Sequence, residues 1–196
     1  MARATALFDL AYMGVPPWDI GRPQSEFVRL AEAGAIRGDV LDVGCGTGEN
    51  VLYLAQLGHR VWGIDIAPNA IKAAQAKAMK RGAEATFLAW DALELQQLER
   101  QFDTVIDSGL FHTFSDEERL RFGESLAAGL RPQGNYYMLC FGEREPGRWG
   151  PRRVTQGEIR SVFAEGWAIN YMREARFDTN LGSEGIRAWL SSITRL

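Results

Sequence analysis

The chain is poor in the residues that hold metals or cross-link loops: of 196 residues, two are cysteine (Cys45, Cys140) and two are histidine (His59, His112). Two cysteines without a histidine cluster cannot complete a zinc site, so no metal is expected. Both cysteines sit at the ends of apolar strands, where free packed thiols are expected rather than a disulfide. No apolar run approaches the ~20 residues of a membrane span. Asp9 interrupts the N-terminal stretch where a signal peptide's apolar centre would continue, which sets the expectation of a cytoplasmic location without a membrane partner. Positive charge is not in excess either, with 22 Lys and Arg against 25 Asp and Glu and a net charge of −3. Long-range attraction to nucleic acid is therefore not expected. There is no internal repeat, low-complexity segment or linker, and a hydrophobic content of 46% with 24% charged residues is that of one globular domain, 1–196, with a small partner.

What the chain does have is an alternation of apolar runs and helical faces. Phe27, Leu30 and Ala31 share one helical face before Gly34, giving a lead-in helix over 24–33. Strands are expected at 40–43, 61–64, 85–89, 102–106 and 136–141. Helices are expected at 50–57, at 68–81 between Pro68 and Gly82, and from Ser115 to the break at Pro132-Gln133-Gly134. Ser115 with Glu118, and Thr155 with Glu158, have capping-box spacing. Residues 167–176 and 188–193 are the remaining strand candidates. Strand alternating with helix implies an α/β fold with a parallel sheet and right-handed crossovers.

The most specific stretch is Val40-Leu41-Asp42-Val43-Gly44-Cys45-Gly46-Thr47-Gly48, with Asp65 closing the next apolar run, Val61 to Ile64. A buried strand that breaks into three alternating glycines and then a helix lets backbone approach a ligand where any Cβ would collide, and the carboxylate after the next strand suits a ribose diol. A dinucleotide site expects Gly-x-Gly-x-x-Gly, and a P-loop expects Gly-Lys-Ser/Thr; neither spacing is present. The motif resembles that of the class I S-adenosylmethionine-dependent methyltransferases, acidic-x-Gly-x-Gly-x-Gly, at every fixed position.

That resemblance implies a Rossmann-like, doubly wound seven-stranded sheet of order 3-2-1-4-5-7-6 with strand 7 antiparallel, flanked by helices; periodicity alone supports the parallel part. It also implies S-adenosyl-L-methionine as cofactor. The backbone of Gly44, Gly46 and Gly48 would pass beneath its methionine and ribose, Asp42 would approach the ammonium directly or through water, and Asp65 would accept the ribose hydroxyls. After the third strand, Asp91 would meet the adenine amino group and the Ala92 amide the ring, with Ile66 and Trp90 as apolar walls. At the end of the fourth strand Asp107 and Ser108 would form the floor, with the Ser108 backbone at the methionine amine. Each acid has a plainer reading as well: Asp65 as a carboxylate at a helix N-terminus and Asp91 as a cap.

The acceptor side is drawn by two loops. Val15 to Gln24 carries two adjacent prolines and Trp18 where no core requires them, as a lid does, so that residues 1–34 form a lid and lead-in helix. Its Pro-Trp-Asp-x-Gly-Arg pattern resembles the lead-in of thiol and halide methyltransferases and, more loosely, of thiopurine methyltransferases. By that resemblance Trp18 packs at the sulfonium and Arg22 faces the cofactor's carboxylate; the alternative is that Trp18 staples the N-terminal arm to the sheet. Phe141 to Arg153, with four arginines, is either a second lid or a solvated surface loop. Tyr12, Phe111, His112 and Trp149 are the expected acceptor contacts, with Arg152 or Arg153 as counter-group to an anion or carbonyl. His112, at the end of the fourth strand, is the expected base where a proton must be lost, against a plain packing role.

These observations predict methyl transfer to sulfur, oxygen or nitrogen of a small aromatic or heterocyclic acceptor by a monomer or weak homodimer. The alternatives are a nicotinamide-dependent oxidoreductase, disfavoured by glycine spacing, and a non-catalytic cofactor-binding module. A nucleic-acid methyltransferase would want basic surface and, for amino-base methylation, an Asn/Asp-Pro-Pro-Tyr/Phe loop; this chain has Asp107-Ser108-Gly109-Leu110 there.

Overall fold

The computed structural model describes residues 2–147 and 149–196, and side chains from Ala6 onward; Arg148, one of the four loop arginines, lies outside the described residues. In chain order the elements are α1 (Ala2–Ala11), α2 (Ser25–Glu32), β1 (Asp39–Val43), α3 (Glu49–Gln56), β2 (Arg60–Asp65), α4 (Pro68–Arg81), β3 (Thr86–Ala89), β4 (Phe102–Ser108), α5 (Asp116–Gly129), β5 (Leu130–Phe141), α6 (Gln156–Val162), β6 (Trp167–Thr179) and β7 (Gly182–Arg195). The strands form a single seven-stranded sheet of order β3-β2-β1-β4-β5-β7-β6. Neighbours pair in parallel from β3 to β5, and β7 runs antiparallel to both β5 and β6.

Period-two alternation in the central strands divides the core into two layers. Val40, Val61, Ile106, Tyr137 and Leu139 face α2 and α3 through Phe27, Val51 and Leu54. Leu41, Val43, Val105, Tyr136 and Met138 face α5 and α6 through Phe122, Leu126, Ile159 and Phe163. Each fully buried aromatic or aliphatic side chain contributes on the order of 1.5–3 kcal/mol, so these two layers fix the sheet. Among the described residues no helix is long and apolar enough to cross a membrane, and no cluster of three or more His, Cys, Asp and Glu could hold a metal. Cys45 and Cys140 are free and buried.

Three features depart from the sequence reading. Helix α1 was not anticipated: its first turn carries no acid and it has none of the usual start signals. Pro132-Gln133-Gly134 does not separate a helix from a strand, because α5 passes directly into β5. The extra residues form an irregularity opposite Phe102 and Thr104, with Gln133 in the left-handed region at φ 63°. The last two strands are also longer than their apolar runs suggest, and they form an arm that projects past the sheet to Asn180.

Both capping boxes are formed, with Thr155 Oγ1 accepting from the Glu158 amide at 3.1 Å and Glu158 accepting from the Thr155 amide at 2.7 Å. Thr155→Ala, on the seven-residue α6, is expected to lower unfolding free energy by about 1 kcal/mol, read as a reduced urea midpoint at unchanged m-value.

Candidate functional site

The carboxyl ends of β1, β2 and β4 converge where strand order reverses, beside β1. The chain leaves β1 through Gly44, Gly46 and Gly48, all at positive φ (70°, 55° and 83°). A Cβ on Gly46 would come within 2.7 Å of the Tyr12 hydroxyl. Asp65, at the end of β2, holds this turn: its Oδ2 accepts from the Gly46 amide at 2.9 Å and its Oδ1 from the Ala67 amide at 2.8 Å. Each oxygen retains acceptor capacity, and Asp65 lines the cavity above. Burial pushes its carboxyl up while the two amides pull the other way.

A cavity of about 660 Å³ opens over these strand ends. Its lining includes a group after β2 and β3, Asp65, Ile66, Trp90, Asp91, Ala92 and Leu93, and an aromatic cluster in mutual contact, His112, Phe141, Trp149 and Phe177, together with Leu181. A hollow of about 50 Å³ adjoins it, lined by Arg22, Gln24, Gly44, Gly46, Thr47, Asn50 and Ser108. Tyr12, Trp18, Gly44, Ser108 and Phe177 line both spaces. Trp18 Nε1 donates to the Tyr12 hydroxyl at 2.9 Å, and the Trp18 ring packs edge-on against Phe8 and Tyr12. Burial, followed by the nearby Asp65 charge, raises the Tyr12 phenol far above its ordinary range, so Tyr12 stays protonated.

The segment carrying Trp18 is held from two sides. The Asn180 amide donates to Pro17 O at 2.8 Å, and Asn180 Nδ2 to Asp19 O at 2.8 Å. Gln24 exchanges two hydrogen bonds with the backbone of Asp178, and Thr47 in the glycine turn donates to Asp19 at 2.8 Å. Arg22 pairs with Asp178 at 2.8 Å while still lining the small hollow.

Of the residues expected at the cofactor, Trp18, Gly44, Asp65, Ile66, Trp90, Asp91, Ala92 and Ser108 line the main cavity, and Arg22 and Gly46 the hollow. Asp91 also caps the turn that follows it, accepting from the Leu93 amide at 2.9 Å. Asp42, Gly48 and Asp107 line neither space. Strand alternation turns Asp42 beneath the glycine turn, where both its oxygens are buried without a hydrogen-bond partner. Gly48 serves packing, since a Cβ there would meet Phe87 and Ala74. Asp107 braces the loop after β4, accepting from the Leu110 and Phe111 amides and the Tyr136 hydroxyl at 2.7, 3.1 and 2.8 Å. Burial raises its carboxyl to about 7 despite these donors; it raises Asp42 as well, aided by the charge of Asp107.

On the acceptor side Tyr12, His112, Trp149 and Arg152 line the cavity, and Phe111 and Arg153 do not. The short turn after β4 points Phe111 into the core against Phe122 and Phe163. The Arg153 guanidinium is turned back into its own loop, donating to the carbonyls of Glu145, Pro146, Trp149 and Pro151. Arg152 is paired with Asp116 and Glu158. His112, the expected base, has one ring nitrogen engaged: its Nδ1 accepts from the Phe141 amide at 3.1 Å. Burial, with the charges of Arg119 and Arg153, lowers the imidazole to about 3.

The sequence reading missed Phe8, Phe177 and Leu181 as cavity walls. Phe8 and Tyr12 have the i, i+4 spacing of one helical face, a signal present in the sequence. Phe177 and Leu181 reach the site only because the β6–β7 arm is long, and nothing local signals that.

A family model described as a methyltransferase domain matches residues 40–134. A 2-heptyl-1-hydroxyquinolin-4(1H)-one methyltransferase of Mycobacteroides abscessus is 38% identical over 168 residues, 84% of this chain and 74% of that protein. A probable thiol methyltransferase 2 of Arabidopsis thaliana is 29% identical over 76% of this chain and 67% of its own. A solved structure concerned with conversion of a disulfide bond into a thioacetal group during echinomycin biosynthesis superposes with a TM-score of 0.90 at 36% identity, covering 97% of this chain and 91% of that one.

The buried acid beneath the site leaves a signature in stability. Asp107 holds its proton up to about pH 7 when folded but only to about 3.9 when unfolded. The folded state therefore binds more protons between these values, and stability falls as pH rises through that window. Asp107→Asn is expected to flatten the decline between about pH 4 and 7, measured as urea unfolding free energy against pH.

Proposed function

The chain belongs to the class I S-adenosylmethionine-dependent methyltransferases, and from that premise we propose that it methylates a sulfur, oxygen or nitrogen atom of a small, flat aromatic or heterocyclic acceptor. The observation that carries this reading is one cavity lined by two chemically different groups, Asp65, Asp91 and Trp90 after β2 and β3, and the aromatic cluster of His112, Phe141, Trp149 and Phe177. The residues present fit the cofactor. Asp65 has acceptor capacity for a ribose diol, Ile66 and Trp90 offer walls to adenine with Asp91 and Ala92 beside them, and Gly44 and Gly46 bring backbone without a Cβ to the edge of the space. Arg22 in the small hollow suits the methionine carboxylate.

S-adenosylmethionine supplies a methyl group on a sulfonium centre, which an acceptor lone pair displaces. The work left to the protein is alignment and exclusion of water. Trp18, hydrogen-bonded to Tyr12 and lining both spaces, is suited to a cation–π contact with that centre. Phe141 and Phe177, edge-on to one another at 5.3 Å, and the exposed Trp149 suit a flat ring. The names of the relatives, a 2-heptyl-1-hydroxyquinolin-4(1H)-one methyltransferase and a probable thiol methyltransferase, favour a flat heterocyclic or a thiol acceptor. The glycine turn and the acceptor loop belong to one sheet, which favours a single domain over 1–196 with 1–34 as lid and lead-in. A net charge of −3 gives no long-range attraction to nucleic acid or an anionic membrane, which supports a small-molecule acceptor.

Incubation with labelled S-adenosylmethionine and a panel of thiols, phenols and N-heterocycles is expected to label at least one class. Cofactor binding without transfer to any of them would leave a non-catalytic module, and calorimetric binding of NAD in place of S-adenosylhomocysteine would leave an oxidoreductase. Trp18→Ala is expected to weaken S-adenosylmethionine affinity by roughly 2- to 30-fold, measured by calorimetry; unchanged affinity would confine Trp18 to packing.

A further inference from the structure

His112 is fixed in one tautomer by a donor that has no alternative. The Phe141 backbone amide can only donate, and it points at Nδ1 at 3.1 Å. A neutral imidazole that accepts at Nδ1 carries its proton on Nε2. The ring is held on three further sides: Phe141 packs edge-on at 4.6 Å, Phe177 lies at 6.0 Å, and Cε1 rests on Gly109, where a Cβ would come within 3.1 Å of it. Nε2 has no partner among the described residues, and His112 lines the cavity.

The geometry points to His112 as a hydrogen-bond donor that orients the methyl acceptor through Nε2–H, and not as the group that removes its proton. This rests on the reading of the cavity as a methyl-acceptor site. It narrows the substrate class to acceptors that arrive already ionised, such as acidic aromatic hydroxyls and aromatic thiols. The proton leaves to solvent before binding. In the transfer itself a lone pair of the anion forms the bond to the methyl carbon, and the pair of the breaking carbon–sulfur bond stays on the cofactor sulfur. Of the charged groups near His112, Arg152 and Glu118 line the cavity, Arg152 being paired with Asp116 and Glu158; Arg119, paired with Glu158, and Arg153, turned into its own loop, do not line it and act on the imidazole only through their charge. Glu118 and Glu158 are taken up by their capping boxes.

Two measurements test this. In protein labelled with nitrogen-15 at its two histidines, the His112 ring is expected to show protonated Nε2 and bare Nδ1 from about pH 5 to 8; a proton on Nδ1, or titration within that range, would overturn the assignment. In turnover, the pH midpoint of kcat/KM is expected to move with the pKa of each acceptor across a series of phenols and thiophenols. His112→Ala is expected to lower kcat/KM for the ionised acceptor by about tenfold or more, and His112→Asn, which keeps a donor, by less. A midpoint common to all acceptors and abolished by His112→Ala would make His112 a base and sink the proposal. Failure of the whole panel to be methylated would instead remove the acceptor-site reading, and the proposal with it, whatever the nitrogen resonances show.

Discussion

The Asp65 carboxylate is the hinge on which the site is built. By accepting from Gly46 with one oxygen and from Ala67 with the other, it sets the separation of the glycine turn after β1 from the start of α4 after β2. Two strand ends that could otherwise drift are referenced to a single rigid group. The same carboxylate forms part of the cavity floor, so the group that shapes the floor also offers it acceptor atoms. Hydrogen bonds from backbone amides to an ionised oxygen are among the stronger ones available, which suits a residue serving both purposes.

The floor was legible because its signals are local. Three alternating glycines, an acid after the next strand and another after the third are each tied to a strand end that periodicity locates. Asp42 and Asp107 are also acids at strand ends but line neither space. What distinguishes them is strand parity: Asp42 shares the face of Val40 and sits below the turn, while Asp107 is consumed by two amides and a phenol. Phe111 and Arg153 lie outside the cavity lining for a different reason. Their directions depend on the conformations of a short turn and a long loop, and no residue spacing encodes those. The sheet order itself was implied by resemblance, since period-two patterning cannot say that β7 inserts between β5 and β6.

The chemistry of the site follows from what it keeps uncharged. Tyr12 and His112, which line the cavity, are both held neutral, chiefly by burial. Low polarity on the His112 side, walled by Phe141 and Phe177, strengthens whatever electrostatic interaction is made there, while Asp65, Asp91, Glu118 and Arg152 bring charged groups to the rest of the cavity. The arginine loop contributes less directly than its composition suggests. One guanidinium gathers four carbonyls of its own loop, and another is paired with Asp116 and Glu158.

The roof of the cavity joins the two ends of the polypeptide. Pro17, Asp19 and Gln24 bond to Asp178 and Asn180, partners 154 to 161 residues away along the chain for the side-chain bonds. During synthesis at 5–20 residues per second, the first of these segments waits about 10–30 s for the second. The glycine turn, α3 and β2 emerge long before, so the nucleoside floor can order on the ribosome while its roof cannot. A ribosome that stops short of the last hairpin would leave a chain with a floor and no cover, and the β6–β7 arm is thus the part of the sequence that converts a binding surface into an enclosed site.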